Sequence, residues 1–161
     1  MTTTKPPPPG LDKPWVPSVI RVMSAVNTWL YRRTGGRLGG SWRVMAGFRK
    51  PAPVLLLTVT GRRSGQPHTV PLLYVRDGDD LVVAGSTGGL PHHPQWYRNI
   101  LANPSVTVQV GSEIHERTAH VVAGEERARL WHMLNDTYAD FETYATWTER
   151  EIPVVVLTSR T

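Results

Sequence analysis

Between Ser18 and Arg33 apolar residues return every three or four positions, at Val19, Val22, Met23, Val26, Trp29 and Leu30. That spacing predicts one helix, at about 18–33, with one apolar face. Arg32 and Arg33 close the run just ahead of Gly35 and Gly36. Cations suit the C-terminal end of a helix dipole, and glycines suit a stop. The apolar face predicts packing against the body of the domain. A basic amphipathic helix lying on a membrane is the sharper alternative.

Beyond Pro51 the period shortens. Val54 to Thr60 is a β-rich run, Gly61 to Pro67 is turn chemistry, and Thr69 to Arg76 returns as a strand. Pro71 inside that strand implies an edge or a bulge. Asp77-Gly78-Asp79-Asp80 makes a second turn before a third strand, Leu81 to Gly85, so the three read as an antiparallel meander. A short helix follows at about Pro94 to Ala102, with proline suited to its first turn. Val106, Val108 and Val110 alternate with polar residues, and Glu113 to Val122 pairs back across Gly111-Ser112. Glu125 to Asn135 reads as a helix with Ala128, Trp131 and Leu134 on one side. Tyr138 to Trp147 reads as a second short helix, and Ile152 to Thr158 as a closing strand.

About six strands with interspersed helices, and no regular βαβ alternation, predict a mainly β, α+β domain: a small barrel with added helices. The proline-rich stretch 1–14 reads as a flexible or polyproline leader, which leaves 15–161 as a single domain. Residues 34–50 form a Gly- and Arg-rich connection.

Composition narrows the chemistry. The 161 residues suit one core. There is no cysteine, so disulfides, thiolate catalysis, zinc ribbons and iron–sulfur clusters are excluded. No secretory signal and no apolar run near the ~20 residues of a spanning helix is visible, and a cytoplasmic protein is expected. The net charge of +5 is uneven. Residues 1–50 carry nine Lys/Arg against Asp12 alone, for +8, and the remainder is −3. The asymmetry suggests an anionic partner near the N-terminal third, a membrane surface or the anionic tail of a cofactor, with a solvated basic face as the equal alternative. No recognised nucleic-acid motif accompanies the charge.

Four constellations carry candidate chemistry. Gly61-Arg62-Arg63-Ser64-Gly65-Gln66 is a glycine-punctuated turn whose two arginines, Ser64 and Gln66 suit a phosphate or carboxylates. An ordinary solvated hairpin tip would look the same. It has neither the Gly-Lys-Ser/Thr of a P-loop nor the Gly-x-Gly-x-x-Gly of a dinucleotide fold. Ala84-Gly85-Ser86-Thr87-Gly88-Gly89 is a run of small residues, which lets a planar ring approach the backbone, with two hydroxyls to meet a ring carbonyl or a substrate oxygen. On the helix after Pro94, Trp96 and Asn99 share a face; a buried amide there must find partners. Tyr138, Phe141, Tyr144 and Trp147 recur at threes, the pattern of a helix core and equally of a lid over an aromatic acceptor. The histidines lack ligand spacing, so no metal site is expected, and Gly-x-Ser-x-Gly is absent.

The stretches VNTWLYRRTGGRLGG, LLLTVTGRRSGQPHTVPLLYVRDG, VVAGSTGG, PQWYRNILANPSVTVQV and TYADFETYATWTEREIPVVVLTS occur in that order. Together they resemble the deazaflavin-dependent nitroreductase family of actinobacteria, whose members are also called coenzyme F-420-dependent quinone reductases. The resemblance runs from about Val19 to Thr158. It implies a split β-barrel similar to that of flavin-mononucleotide-binding oxidoreductases, with coenzyme F-420, a deazaflavin, as cofactor. It implies that Arg62, Arg63, Ser64, Gly65 and Gln66 hold the cofactor's phosphate and acidic tail. The ring is then expected near Val70 and Leu72 and near Ala84, Ser86 and Thr87. Gln95, Trp96 and Asn99 close the site from the other side, and Tyr138, Phe141 and Tyr144 surround the acceptor. Phe141 lacks the hydroxyl that some relatives carry, and Thr87 stands where some have lysine, so the preferred acceptor is expected to differ.

On this reading hydride passes from reduced deazaflavin to an organic acceptor, a quinone, nitroaromatic or enone. Ser86 is the expected donor to the acceptor oxygen, with Tyr138 or Tyr144 behind it. The alternatives on the same barrel are an FMN-dependent oxidoreductase and a non-catalytic flavin or haem carrier. A basic nucleic-acid-binding barrel is the remaining alternative, disfavoured by the missing motif.

Overall fold

The computed structural model describes residue 6 and residues 9–10, 13–42 and 52–160. Most of the expected leader, and the connection from Arg43 to Pro51, lie outside the described residues. Eight strands and four helices are described: α1 (Val16–Thr34), β1 (Ser41–Trp42), β2 (Ala52–Thr60), β3 (Pro67–Leu73), β4 (Val75–Asp77), β5 (Asp80–Ala84), α2 (Gln95–Ala102), β6 (Ser105–Val110), β7 (Glu113–Val121), α3 (Gly124–Thr137), α4 (Asp140–Thr146) and β8 (Val154–Ser159). A single 3-10 turn spans Thr87–Gly89.

The strands form one antiparallel sheet in the order β1-β2-β6-β7-β8-β5-β4, with β3 on β2. β3 pairs with β2 from Thr60↔Pro67 to Val54↔Leu73 and with no other strand among the described residues, which is the edge that Pro71 implied. The expected strand Thr69 to Arg76 is in fact two, broken at Tyr74. There the Tyr74 N–H donates to the Pro53 carbonyl at 3.3 Å. The Tyr74 ring enters the barrel core while Val75 joins the opposite face of the sheet. This switch ends the expected meander: β4 and β5 pair with each other, and β5 runs on to β8 instead of β3.

Alternation along each strand divides the core. Leu55, Leu57 and Val59 of β2 face the barrel interior with Leu81, Val83, Val106, Val108, Val155 and Leu157, and α2 inserts Trp96 and Ile100 among them. On the far side of β5 and β8, Val82, Ala84, Val154 and Val156 are covered by α3 and α4 through Leu130, Leu134 and Phe141. The buried side of α3 is therefore Leu130 and Leu134, with Trp131 half-buried. Ala128, expected inward, is exposed.

α1 forms where the periodicity places it, but its orientation reverses the expectation. Ser24, Asn27, Thr28 and Tyr31 face the domain, and Tyr31 packs on Val54 and Leu56. The Tyr31 hydroxyl accepts the Gly111 N–H at 2.7 Å. Gly36, at φ +82°, lets the helix end close on the β6–β7 turn, since a Cβ there would lie 2.9 Å from the Gly111 Cα. The apolar stripe of Val19, Val22, Met23, Val26 and Trp29 points outward, each residue 42–62% exposed. Packing of that stripe on the domain is thus ruled out. The polar stripe wins because Tyr31 alone fills the space over β2.

Candidate functional site

The β2–β3 connection closes by backbone bonds. The Gly61 N–H donates to the Gln66 carbonyl at 2.8 Å, and the Gly65 N–H donates back to the Gly61 carbonyl at 2.8 Å, with Gly65 at φ +67°. Ser64 Oγ accepts the Gln66 N–H at 3.2 Å, inside the turn. Residues Arg62 to His68 are exposed.

α2 docks on this turn through amides. Asn99 Oδ1 accepts the Arg62 backbone N–H at 3.2 Å and the Arg62 guanidinium at 3.0 Å. Gln95 Oε1 accepts the same guanidinium nitrogen at 3.0 Å. Asn99 is only 5% exposed, and these bonds explain a buried amide beside Trp96. Arg62, Gln95 and Asn99 are thus brought together. Trp96 is 6% exposed and packs in the barrel core from this helix. Val70 and Leu72 line the inner side of β3, half-buried against the same core. The side chain of Ala84 faces α3 and α4, so its contact with a ring is limited to backbone.

The second constellation is more ordered than a flexible strand exit. Thr87 has φ +48°, the only positive value outside glycine among the described residues, and Gly88 follows at +61°. A β-branched residue there is strained by about 1–3 kcal/mol. The buried Thr87 Oγ1 has no hydrogen-bond partner. α4 backs the turn so closely that a Cβ on Gly89 would lie 3.0 Å from the Tyr144 carbonyl and the Trp147 ring.

The aromatic constellation divides between core and site. Tyr138 (7% exposed) and Phe141 (4%) are buried with Leu130, Leu134 and Ile152. Tyr138 lies at the joint after α3 and not on the following helix. Tyr144 is half-buried, and its hydroxyl shares a 2.6 Å bond with that of Tyr138. Burial raises the pKa of both phenols above the ordinary tyrosine value, and the hydrogen bond to Tyr144 raises that of Tyr138 further. Both are neutral phenols at physiological pH.

Sequence reasoning passed over Arg150 and weighed His93 only as a metal ligand. The Arg150 guanidinium donates to the carbonyls of Gly85, Ser86 and Leu90 and to His93 Nδ1. Arg150 stands between Glu149 and Glu151, so in sequence it reads as part of a solvated charge cluster. Burial, with Arg150 and Arg98 nearby, lowers the His93 pKa and keeps its ring neutral. Two hollows, of about 470 and 560 Å³, lie elsewhere, between β4 and α3 and beneath the C-terminal end of α1.

Two features fit an anionic, ring-bearing group. Neither Arg62 nor Arg63 has a carboxylate partner among the described residues: Arg62 meets neutral amide oxygens, and the Arg63 side chain extends into solvent. Beside Thr87, Gly88 has open space where a side chain would stand, so a planar ring can approach the backbone there. No cluster of potential metal ligands occurs among the described residues.

A barrel curled around one core, with a cationic hairpin at its edge strand and a strained small-residue turn backed by helices, is a split-barrel oxidoreductase fold. The family model described as F420H(2)-dependent quinone reductase matches residues 23–159, and the chain belongs to that family. A Mycobacterium tuberculosis relative, provisionally named for the same reaction, is 47% identical over 118 residues, covering 73% of this chain and 99% of its own. The solved structure of an F420-H2 dependent reductase, FDR-A, has TM-score 0.62 and 39% identity, over 71% of this chain and 98% of that one. A second solved structure, described as a domain-swapped dimer, has TM-score 0.64 and 32% identity, over 88% and 98%. The family and its cofactor class agree with the resemblance read from the sequence.

Proposed function

We propose that this chain transfers hydride from reduced coenzyme F-420 to a quinone, with the cofactor's anionic tail on the Arg62–Gln66 turn. The observation that carries this reading is a pair of arginines exposed at a hydrogen-bonded turn and facing no carboxylate among the described residues. Arg62 is pre-oriented by Asn99 and Gln95, so less side-chain freedom is lost when an anion binds. Arg63, Ser64 and Gln66 add donors on the same turn. When bound, the reduced deazaflavin supplies a hydride from a ring carbon and favours two-electron over radical transfer. The protein's part is to hold the ring beside β3 and the Ser86 turn and to offer a donor where negative charge develops. Ser86 is that donor in our reading. Tyr144 stands behind it as a neutral hydroxyl. Loss of F-420 absorbance under a small soluble quinone, menadione, tests the reaction. Turnover is expected with F-420 and not with reduced FMN; the opposite preference would move the chain to the flavin alternative.

The outward stripe of α1 supports a peripheral membrane contact. Trp15, Ile20, Val22, Met23, Val26 and Trp29 present apolar surface, and Lys13, Arg21, Arg33 and Arg37 surround it with positive charge. An anionic bilayer complements both, and long-tailed quinones reside there. No helix among the described residues is long and apolar enough to cross a membrane. Deleting the helix would strip Tyr31 from the core, so substitution is the cleaner test. Val22→Asp with Val26→Asp should abolish co-flotation with phosphatidylglycerol vesicles at unchanged melting temperature. Equal flotation of variant and parent would refute the contact.

A further inference from the structure

We propose that Arg150 is a positioning residue for the reaction, which holds the Gly85–Leu90 turn in its active shape. The inference rests on the reading above that this turn faces the acceptor. Its own observations are independent of any bound group.

One guanidinium serves the whole turn. Arg150 Nη1 donates to the Gly85 carbonyl at 3.1 Å, Nη2 to the Ser86 carbonyl at 2.8 Å and Nε to the Leu90 carbonyl at 3.0 Å. Nη1 also lies 3.1 Å from His93 Nδ1. The bonds bracket both ends of the strained segment, Thr87 at φ +48° and Gly88 at +61°. A left-handed β-branched residue persists only where its surroundings over-determine it. Within the turn itself two backbone bonds form, Gly89 N–H to the Ser86 carbonyl at 3.0 Å and Leu90 N–H to the Thr87 carbonyl at 3.3 Å. Pro153 holds the Gly85 N–H and α4 packs against Gly89, and Arg150 is the one side chain that bonds the carbonyls at both ends of the turn.

The chemistry of the clamp follows from peptide geometry. Peptide bonds of the described chain are all trans, so each N–H points opposite to the carbonyl of the same peptide unit. Binding the Gly85 and Ser86 carbonyls therefore turns the N–H groups of Ser86 and Thr87 away from the guanidinium. Hydrogen bonds in series polarise one another, so those N–H groups become stronger donors. Arg150 has no carboxylate partner among the described residues, since Glu151 pairs with Arg127 instead. Its charge is therefore not cancelled locally, and it lies behind the turn on which acceptor charge would develop. Lysine cannot reproduce this, because a single ammonium lacks the planar fork that reaches three carbonyls.

Full-length Arg150→Ala and Arg150→Lys variants test the proposal with two readouts. The first is amide hydrogen exchange of protein without cofactor. Exchange across 85–90 should quicken at least about tenfold in both variants, while β2 and β6 keep their protection. The second is turnover of menadione with reduced F-420. The kcat should fall about 100-fold in Arg150→Ala and at least about tenfold in Arg150→Lys, with the F-420 dissociation constant within about threefold of the parent. Millimolar methylguanidinium should restore part of the kcat of Arg150→Ala. A residue needed only for folding would gain nothing from a guanidinium salt. Unchanged exchange at 85–90 overturns the proposal, as does a kcat within about twofold of the parent, or full rescue by lysine. If Arg150→Ala does not fold, the lysine variant decides alone on the same readouts. Failure of the parent protein to bind F-420 would sink the functional reading, and the exchange experiment would still decide the role of Arg150.

Discussion

The Arg62–Gln66 turn and the Gly85–Leu90 turn sit at opposite ends of the same argument. The first is exposed, closed by its own backbone and rich in unpaired charge. The second is enclosed, strained at Thr87 and braced by Arg150, α4 and Pro153, whose carbonyl accepts the Gly85 N–H at 2.9 Å. A solvated cationic turn binds by charge and tolerates change in its own fold. A braced turn with an orphaned hydroxyl stores its contribution as geometry. Cofactor affinity should therefore belong mainly to the first turn and rate mainly to the second.

Removing the charge of the first turn should have the largest effect. Arg62→Ala with Arg63→Ala is expected to raise the F-420 dissociation constant at least about 100-fold, since each charge-assisted bond contributes about 1.5–3 kcal/mol. The melting temperature should barely move. Cofactor fluorescence and thermal unfolding read the two separately, and equal affinity would break the division of labour.

Next comes the second turn. Ser86→Ala should lower kcat about 30-fold and leave F-420 affinity within about threefold, consistent with removal of one donor to developing charge. A loss confined to affinity would reassign Ser86 to the cofactor. Thr87→Gly sharpens the comparison because stability and activity should part. Glycine removes the left-handed strain and the orphaned hydroxyl together, so unfolding free energy should rise by about 1 kcal/mol while turnover falls. A variant that is less stable would show that Thr87 is not strained.

The smallest effect is in pH. The depressed pKa of His93 comes from burial first, then from Arg150 and Arg98; the Tyr97 ring is its other close neighbour. A histidine held below its unfolded value contributes stability that is complete above about pH 6.5 and is lost as pH falls through the folded value. Protonation also removes the Nδ1 acceptor of Arg150. Thermal unfolding between about pH 7 and 5 should show a small acid-side loss that His93→Gln diminishes. An unchanged slope in the variant would place the titrating group elsewhere.

The order of elements was legible because period-two and period-3.6 patterns alternate cleanly along the chain. Pro71 marked its edge strand. Three features were not legible, each for a physical reason. The break at Tyr74 depends on which side of the sheet a large ring enters, which alternation alone does not encode. The outward stripe of α1 has the same spacing as a buried one. Only Tyr31, apolar and hydrogen-bonding at once, decides which side docks. Arg150 was hidden because its partners are backbone carbonyls, and no side-chain pattern records those.

Titration of the purified full chain with F-420 and, in parallel, with FMN tests the central claim most directly. Saturable uptake of F-420, weakened by salt and stronger than that of FMN, is the expected result. A properly folded protein that takes up flavin but no deazaflavin would contradict the account.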